Sequence, residues 1–195
     1  CQYIRPLYNF FISFKPTSSI IKKTIGFAVE RELPKLKKTA NDKLKSEGEK
    51  KVWLFLDEFT RNHEPELAET FVSLLAALCY GISIPQHKES GRAAISKGCL
   101  KRAKKIAEKN VQMLKDVVTA DAPLVGIEPS CILSFRDEYP DLVPEGLRGD
   151  AKELGRHSLL FDEFLLQEIK AGHISRESFE QTPIEIFLHG HCHQK

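Results

Sequence analysis

No run of about 18 apolar residues occurs in this sequence, so no segment reads as a membrane-spanning helix. No Cys-x-x-Cys pair occurs either. The five cysteines (Cys1, Cys79, Cys99, Cys131 and Cys192) are an odd number at wide spacing, which argues against a disulfide framework. A reducing, cytoplasmic setting is the expectation, with each thiol either core or ligand. An excess of one charge is lacking: 29 Lys and Arg against 27 Asp and Glu leave +2, too little to imply nucleic acid. The lysines of 35–51 and 97–109 are interleaved with acids and read as solvated faces. The apolar start carries Arg5 and Pro6, does not begin with Met and lacks the order of a signal peptide. A Gly-rich dinucleotide fingerprint is missing after the first strand, which argues against nicotinamide binding.

What is present becomes regular from Val52. Residues 52–56, Val-Trp-Leu-Phe-Leu, are continuously apolar, as in a strand buried on both faces. Asp57 opens its loop, and Pro65 suits the first turn of a helix over 66–80 that Gly81 is expected to end. Residues 82–85 read as a second strand. A long helix is expected over 93–120, with a break near Gly98 and Cys99. Residues 123–127 form a third strand, followed by the loop 128–131. A helix begins over 132–139, a Pro- and Gly-rich loop covers 140–149, and a further helix is expected over 157–171. Residues 184–188 read as the fourth strand. This alternation is the grammar of an α/β, Rossmann-like three-layer domain with a parallel sheet of about four strands, plus a helical N-terminal extension. Residues 1–50 form that extension. Its apolar residues are expected to pack on an upstream domain or on the back of this one.

The strands deliver their following loops to one edge of the sheet. There stand Asp57 with His63, His87 with Glu89 and Ser90, Glu128 with Cys131, and the terminal run His189, His191, Cys192 and His193. Carboxylate, imidazole and thiolate together are metal ligands by type. The alternative is that Asp57 and Glu128 cap helices while the histidines bond loop carbonyls. Cys131 falls at a predicted helix N-terminus, which favours thiolate, and Cys192 lies between two histidines. A Cys131–His191 nucleophile pair is a further option. Cys79, on a helical apolar face, reads as core, and Cys99 as structural.

Three loops carry a resemblance: Glu-Ser-Gly-Arg (89–92), Gly-Ile-Glu-Pro-Ser-Cys (126–131) and His-Gly-His-Cys-His-Gln-Lys (189–195). They resemble the cysteine-rich CCG domain of iron–sulfur oxidoreductases. That family includes the iron–sulfur protein of glycolate oxidase, the C component of anaerobic glycerol-3-phosphate dehydrogenase and the B component of heterodisulfide reductase. It also includes fusions with an FAD-linked oxidase domain that act on D-2-hydroxy acids such as D-lactate or 2-hydroxyglutarate. Arg-Glu-Leu-Pro-Lys-Leu (31–36) resembles the linker from a ferredoxin-like domain.

The resemblance implies a Cys, a Cys-Cys-Gly and a Cys-x-x-Cys able to hold an iron–sulfur cluster. Here Asp57, Glu89, Ser90 and Glu128 stand at four of those cysteines, and only Cys131 remains. One thiolate among carboxylates is not expected to hold the cluster. The site is then structural, or rebuilt for a single divalent metal with Cys131, Asp57, Glu89 and Glu128 as ligands. Residues 51–188 would be the first CCG-like module. Residues 189–195, with His191, Cys192 and His193 as metal-site candidates, would start a truncated second one.

The implied function is a fragment of the electron-transfer part of an FAD-linked 2-hydroxy acid dehydrogenase, not catalytic alone, with iron–sulfur clusters and FAD in the full-length protein. Its partners would be the upstream FAD and ferredoxin-like domains and the downstream second module. A peripheral contact at the inner face of the membrane would come through an electron acceptor. The alternatives are a docking scaffold and a zinc or thiol hydrolase.

Overall fold

Among the described residues four short strands build one parallel sheet. The structure, a computed structural model, describes residues 2–38, 44–183, 185–187 and 190. Two helices come first, α1 (Arg5–Ser13) and α2 (Lys15–Thr24), each with a proline in its first turn. An irregular segment leads to β1 (Lys50–Phe55), α3 (Glu58–Asn62), α4 (Pro65–Ala77) and β2 (Tyr80–Ser83). Then follow α5 (Arg92–Ser96), α6 (Leu100–Leu114), β3 (Leu124–Gly126), α7 (Pro129–Ile132), α8 (Tyr139–Leu142), α9 (Arg148–Arg156), β4 (Ser158–Leu160) and α10 (Phe161–Lys170).

The strand order is β2-β1-β3-β4, all parallel. Val52, Leu54 and Leu56 enter one core with Phe71 and Leu75 of α4 and Phe164 of α10. Phe55 enters the other with Val111 and Leu114 of α6, Tyr139 of α8 and Leu154 of α9. Helices therefore cover both faces, and the expected α/β three-layer architecture with its helical N-terminus is what the chain adopts. The chain leaves β1 toward β2 on one side and reaches β3 on the other. That makes the carboxyl edge between β1 and β3 the topological switch point, where such sheets bind ligands.

Three local expectations are corrected. The fourth strand is Ser158–Leu160, paired with β3 at Leu124↔Ser158, and not 184–188. Of that run the described residues 185–187 lie outside any strand, with Ile186 and Phe187 exposed. Three residues are too few to show alternation, and Leu159, Leu160, Phe161, Phe164 and Leu165 follow at spacings that also suit a helix. The helix expected to end at Gly81 ends at Ala77, and Cys79 takes the left-handed turn at φ 65°. Gly81 lies inside β2 instead. The backbone of Gly48 passes so close that its Cβ would stand 2.3 Å from the Gly81 nitrogen, leaving no room for a side chain. The long helix does break at Gly98, whose φ of 69° suits glycine, but α6 stops at Leu114.

Candidate functional site at the carboxyl edge of the sheet

Asp57 stands two residues after the end of β1 and is almost wholly buried. Its Oδ1 accepts from the amides of Phe59 (2.8 Å) and Thr60 (3.0 Å), and its Oδ2 accepts from the Thr60 hydroxyl (2.6 Å). It is the N-cap of α3. Burial raises its pKa, while the hydrogen bonds from Thr60 and Phe59 oppose that rise. Glu128, after β3, caps α7 and accepts from the Ser130 hydroxyl at 2.7 Å. Both carboxylates take the capping role that stood as the alternative to metal ligation.

The loop after β2 is held from three directions. The Glu58 carboxylate receives the Ser90 amide (2.8 Å) on Oε2 and the Ser90 hydroxyl (2.7 Å) on Oε1. Tyr139, buried in α8, donates its hydroxyl to the Ser90 carbonyl at 2.9 Å. Asn110, fully buried in α6, donates to the Tyr139 oxygen (2.8 Å) and the Glu89 carbonyl (3.0 Å) and accepts from the Lys88 amide (2.7 Å). Buried polar groups are tolerated only when paired in this way. The Glu89 side chain turns outward to an exposed ion pair with Arg102 at 2.6 Å.

Cys131 sits in the first turn of α7 with no exposed surface. Burial pushes its thiol well above the ordinary range. The negative charges of Asp57, Glu58 and Glu128 add to this, and a hydrogen bond with the Ser90 side chain opposes it. The expected thiolate is therefore corrected to a neutral thiol. The four-residue α7 has almost no dipole to offer, and three nearby carboxylates outweigh it. Tyr139 is likewise held protonated by burial.

Asp57, Ser90, Glu128 and Cys131 thus share one neighbourhood, while Glu89 leaves it. Glu58, Asn110 and Tyr139 join it without having been singled out in the sequence. Only the Asp57-Glu58 pairing hinted at Glu58. His63 ends α3, and the His87 ring packs 4.6 Å from that of Phe55. His189, His191, Cys192 and His193 lie outside the described residues. Among the described residues no group of three or more His, Cys, Asp or Glu side chains could hold a metal ion. One neutral thiol does not fit an iron–sulfur cluster, which needs several thiolates. Among the described residues no helix is long and apolar enough to cross a membrane.

No protein-family model matches the chain, and no solved structure does. Among curated proteins it is similar to D-2-hydroxyglutarate dehydrogenase of Haemophilus influenzae, at 29% identity over 168 residues, 78% of this chain and 16% of that protein. The same-named protein of Pantoea ananatis is 32% identical over 142 residues, 73% of this chain and 13% of that one. The C component of anaerobic glycerol-3-phosphate dehydrogenase from Escherichia coli K12 is 24% identical over 199 residues, 97% of this chain and 49% of that protein. The chain spans less than half the length of each of these relatives, so it is homologous to one part of proteins named as dehydrogenases.

Proposed function

We propose that the chain is an electron-transfer-side module of an FAD-linked, iron–sulfur-containing 2-hydroxy acid dehydrogenase, with D-2-hydroxyglutarate as the favoured substrate of the whole protein. The similarity to D-2-hydroxyglutarate dehydrogenases supports the class. The observation that carries the role is the convergence of Asp57, Ser90 and Glu128 around Cys131. These are the positions at which the resembled CCG domain has cysteines. In place of metal ligands they form caps and loop ties, so this module serves structure and domain docking rather than redox chemistry. Residues 1–50 would lead from a ferredoxin-like domain, 51–188 would be the module, and 189–195 would begin a second module that keeps its ligands, Cys192 among them.

The test is an anaerobic titration of the complete polypeptide with D-2-hydroxyglutarate. Flavin bleaching and the paramagnetic signal of reduced clusters should both appear, and both should survive Cys131→Ala. A complete polypeptide without flavin or iron–sulfur centres would overturn the reading. The hydrolase alternative loses ground to the burial of Cys131, since a neutral thiol without solvent access offers no nucleophile.

A further inference from the structure

We infer that the α1–α2 pair is a peripheral membrane-binding element that seats on an anionic bilayer surface. Ile4, Leu7, Phe10, Phe14, Ile20 and Ile25 each leave more than half of their surface in solvent. This apolar area does not pack on the back of the sheet. Among the described residues α1 is tied to the following segment by Asn9, which exchanges two hydrogen bonds with the Leu36 backbone (2.8 and 2.9 Å), and by Tyr8, which donates to the Pro34 carbonyl at 3.2 Å. Between the helices runs an open groove of about 380 Å³, lined by Ile4, Leu7, Phe11, Ile21, Ile25 and Leu33 among others. Apolar patches of this kind mark interaction surfaces.

Charge selects the occupant. Residues 2–29 hold Arg5, Lys15, Lys22 and Lys23 and no Asp or Glu. The chain as a whole carries 29 cations against 27 acids, so without this segment 25 stand against 27 and the sign reverses. Lys22 donates to the Val29 carbonyl at 3.0 Å, while Lys15 and Lys23 face solvent. A second copy of this face would set like charges against each other. Glu30 and Glu32 adjoin the groove through Leu33, but residues 2–38 still hold eight Lys and Arg against these two acids. A bilayer of anionic lipid offers negative headgroups directly above an apolar layer, which suits aromatic and aliphatic side chains in a segment of net positive charge. Helices of 9 and 10 residues are too short to span and would lie in the interface. The inference does not depend on the dehydrogenase assignment.

The experiment is co-flotation of the full chain with vesicles of phosphatidylcholine alone and of phosphatidylcholine with phosphatidylglycerol, at low and high salt. Binding to the anionic vesicles, weakened by salt, is expected. Leu7→Asp with Phe14→Asp, and separately Lys15→Glu with Lys23→Glu, should each weaken it about tenfold or more. Circular dichroism and the melting temperature check that the variants fold. Absence of binding by the folded chain, equal binding to both vesicle types, or a dimer that Leu7→Asp dissolves would each overturn the inference.

Discussion

Glu58 receives both the amide and the hydroxyl of Ser90, at 2.8 and 2.7 Å, so the first residue of α3 grips the loop after β2 with one carboxylate. The preceding residue, Glu89, makes its ion pair in solvent. Adjacent positions therefore differ sharply in consequence. Ser90→Ala should cost about 1–3 kcal/mol, because it strips a partner from Glu58 in a poorly hydrated loop. Glu89→Ala should cost about 0–1 kcal/mol. Urea unfolding midpoints at unchanged m-value separate the two.

Arg136 holds Glu163 through a two-point contact, with Nη1 to Oε1 at 2.9 Å and Nη2 to Oε2, while its Nε donates to the Ser158 carbonyl at 2.7 Å. The hydrogen bond from Arg136 is the main cause that lowers the Glu163 pKa from 4.5. A depressed folded value means that the stabilisation is present above about pH 4.5 and is lost as pH falls through the folded pKa. Glu163→Gln should thus destabilise by roughly 1 kcal/mol near neutrality, with the difference from the parent chain closing in acid. A difference that stays constant from pH 7 to pH 3 would contradict this pairing.

Cys131 is sealed and neutral, whereas Cys79 and Cys99 are exposed. Cys79 is not the core residue expected of it, because α4 ends at Ala77 and the left-handed turn at Cys79 takes it off the apolar face of the helix. Brief treatment of the folded chain with iodoacetamide, followed by peptide mapping, should label Cys79 and Cys99 and spare Cys131. Labelling of Cys131 should appear only in denaturant.

Much of the fold was legible because strands buried on both faces are continuous apolar runs, as β1 and β3 are, while β2, Tyr-Gly-Ile-Ser, shows itself by alternation instead. β4 does neither, since Ser158-Leu-Leu is three residues long and runs into an apolar helix pattern. At the site, residue type and loop position pointed to Asp57, Glu128 and Cys131. They could not tell a ligand from a cap, because both roles ask for an oxygen just after a strand. Glu89 and Glu58 show the limit best. Which of several acids faces inward depends on backbone direction in two loops, and that is set by Asn110 and Tyr139, far away in sequence.

Gly155 and Gly149 share α9 but not their surroundings. A Cβ on Gly155 would stand 2.7 Å from the Phe135 carbonyl oxygen, while one on Gly149 meets nothing within 4 Å. Gly155→Ala should destabilise by about 1–3 kcal/mol through overpacking against backbone. Gly149→Ala should stabilise by roughly 0.5–1 kcal/mol through helix propensity. Thermal melts of the two variants give the opposite signs directly.

The most direct test of the proposed cap-and-tie role of the carboxyl edge is metal analysis of the chain and of its Cys131→Ala variant. Both are purified without oxygen and challenged with iron and sulfide or with zinc. Equal metal content and equal visible absorption in the two proteins are predicted, because Asp57, Glu128 and Ser90 are already committed to protein partners. A stoichiometric ion or cluster present in the parent chain and lost in a folded Cys131→Ala variant would contradict it.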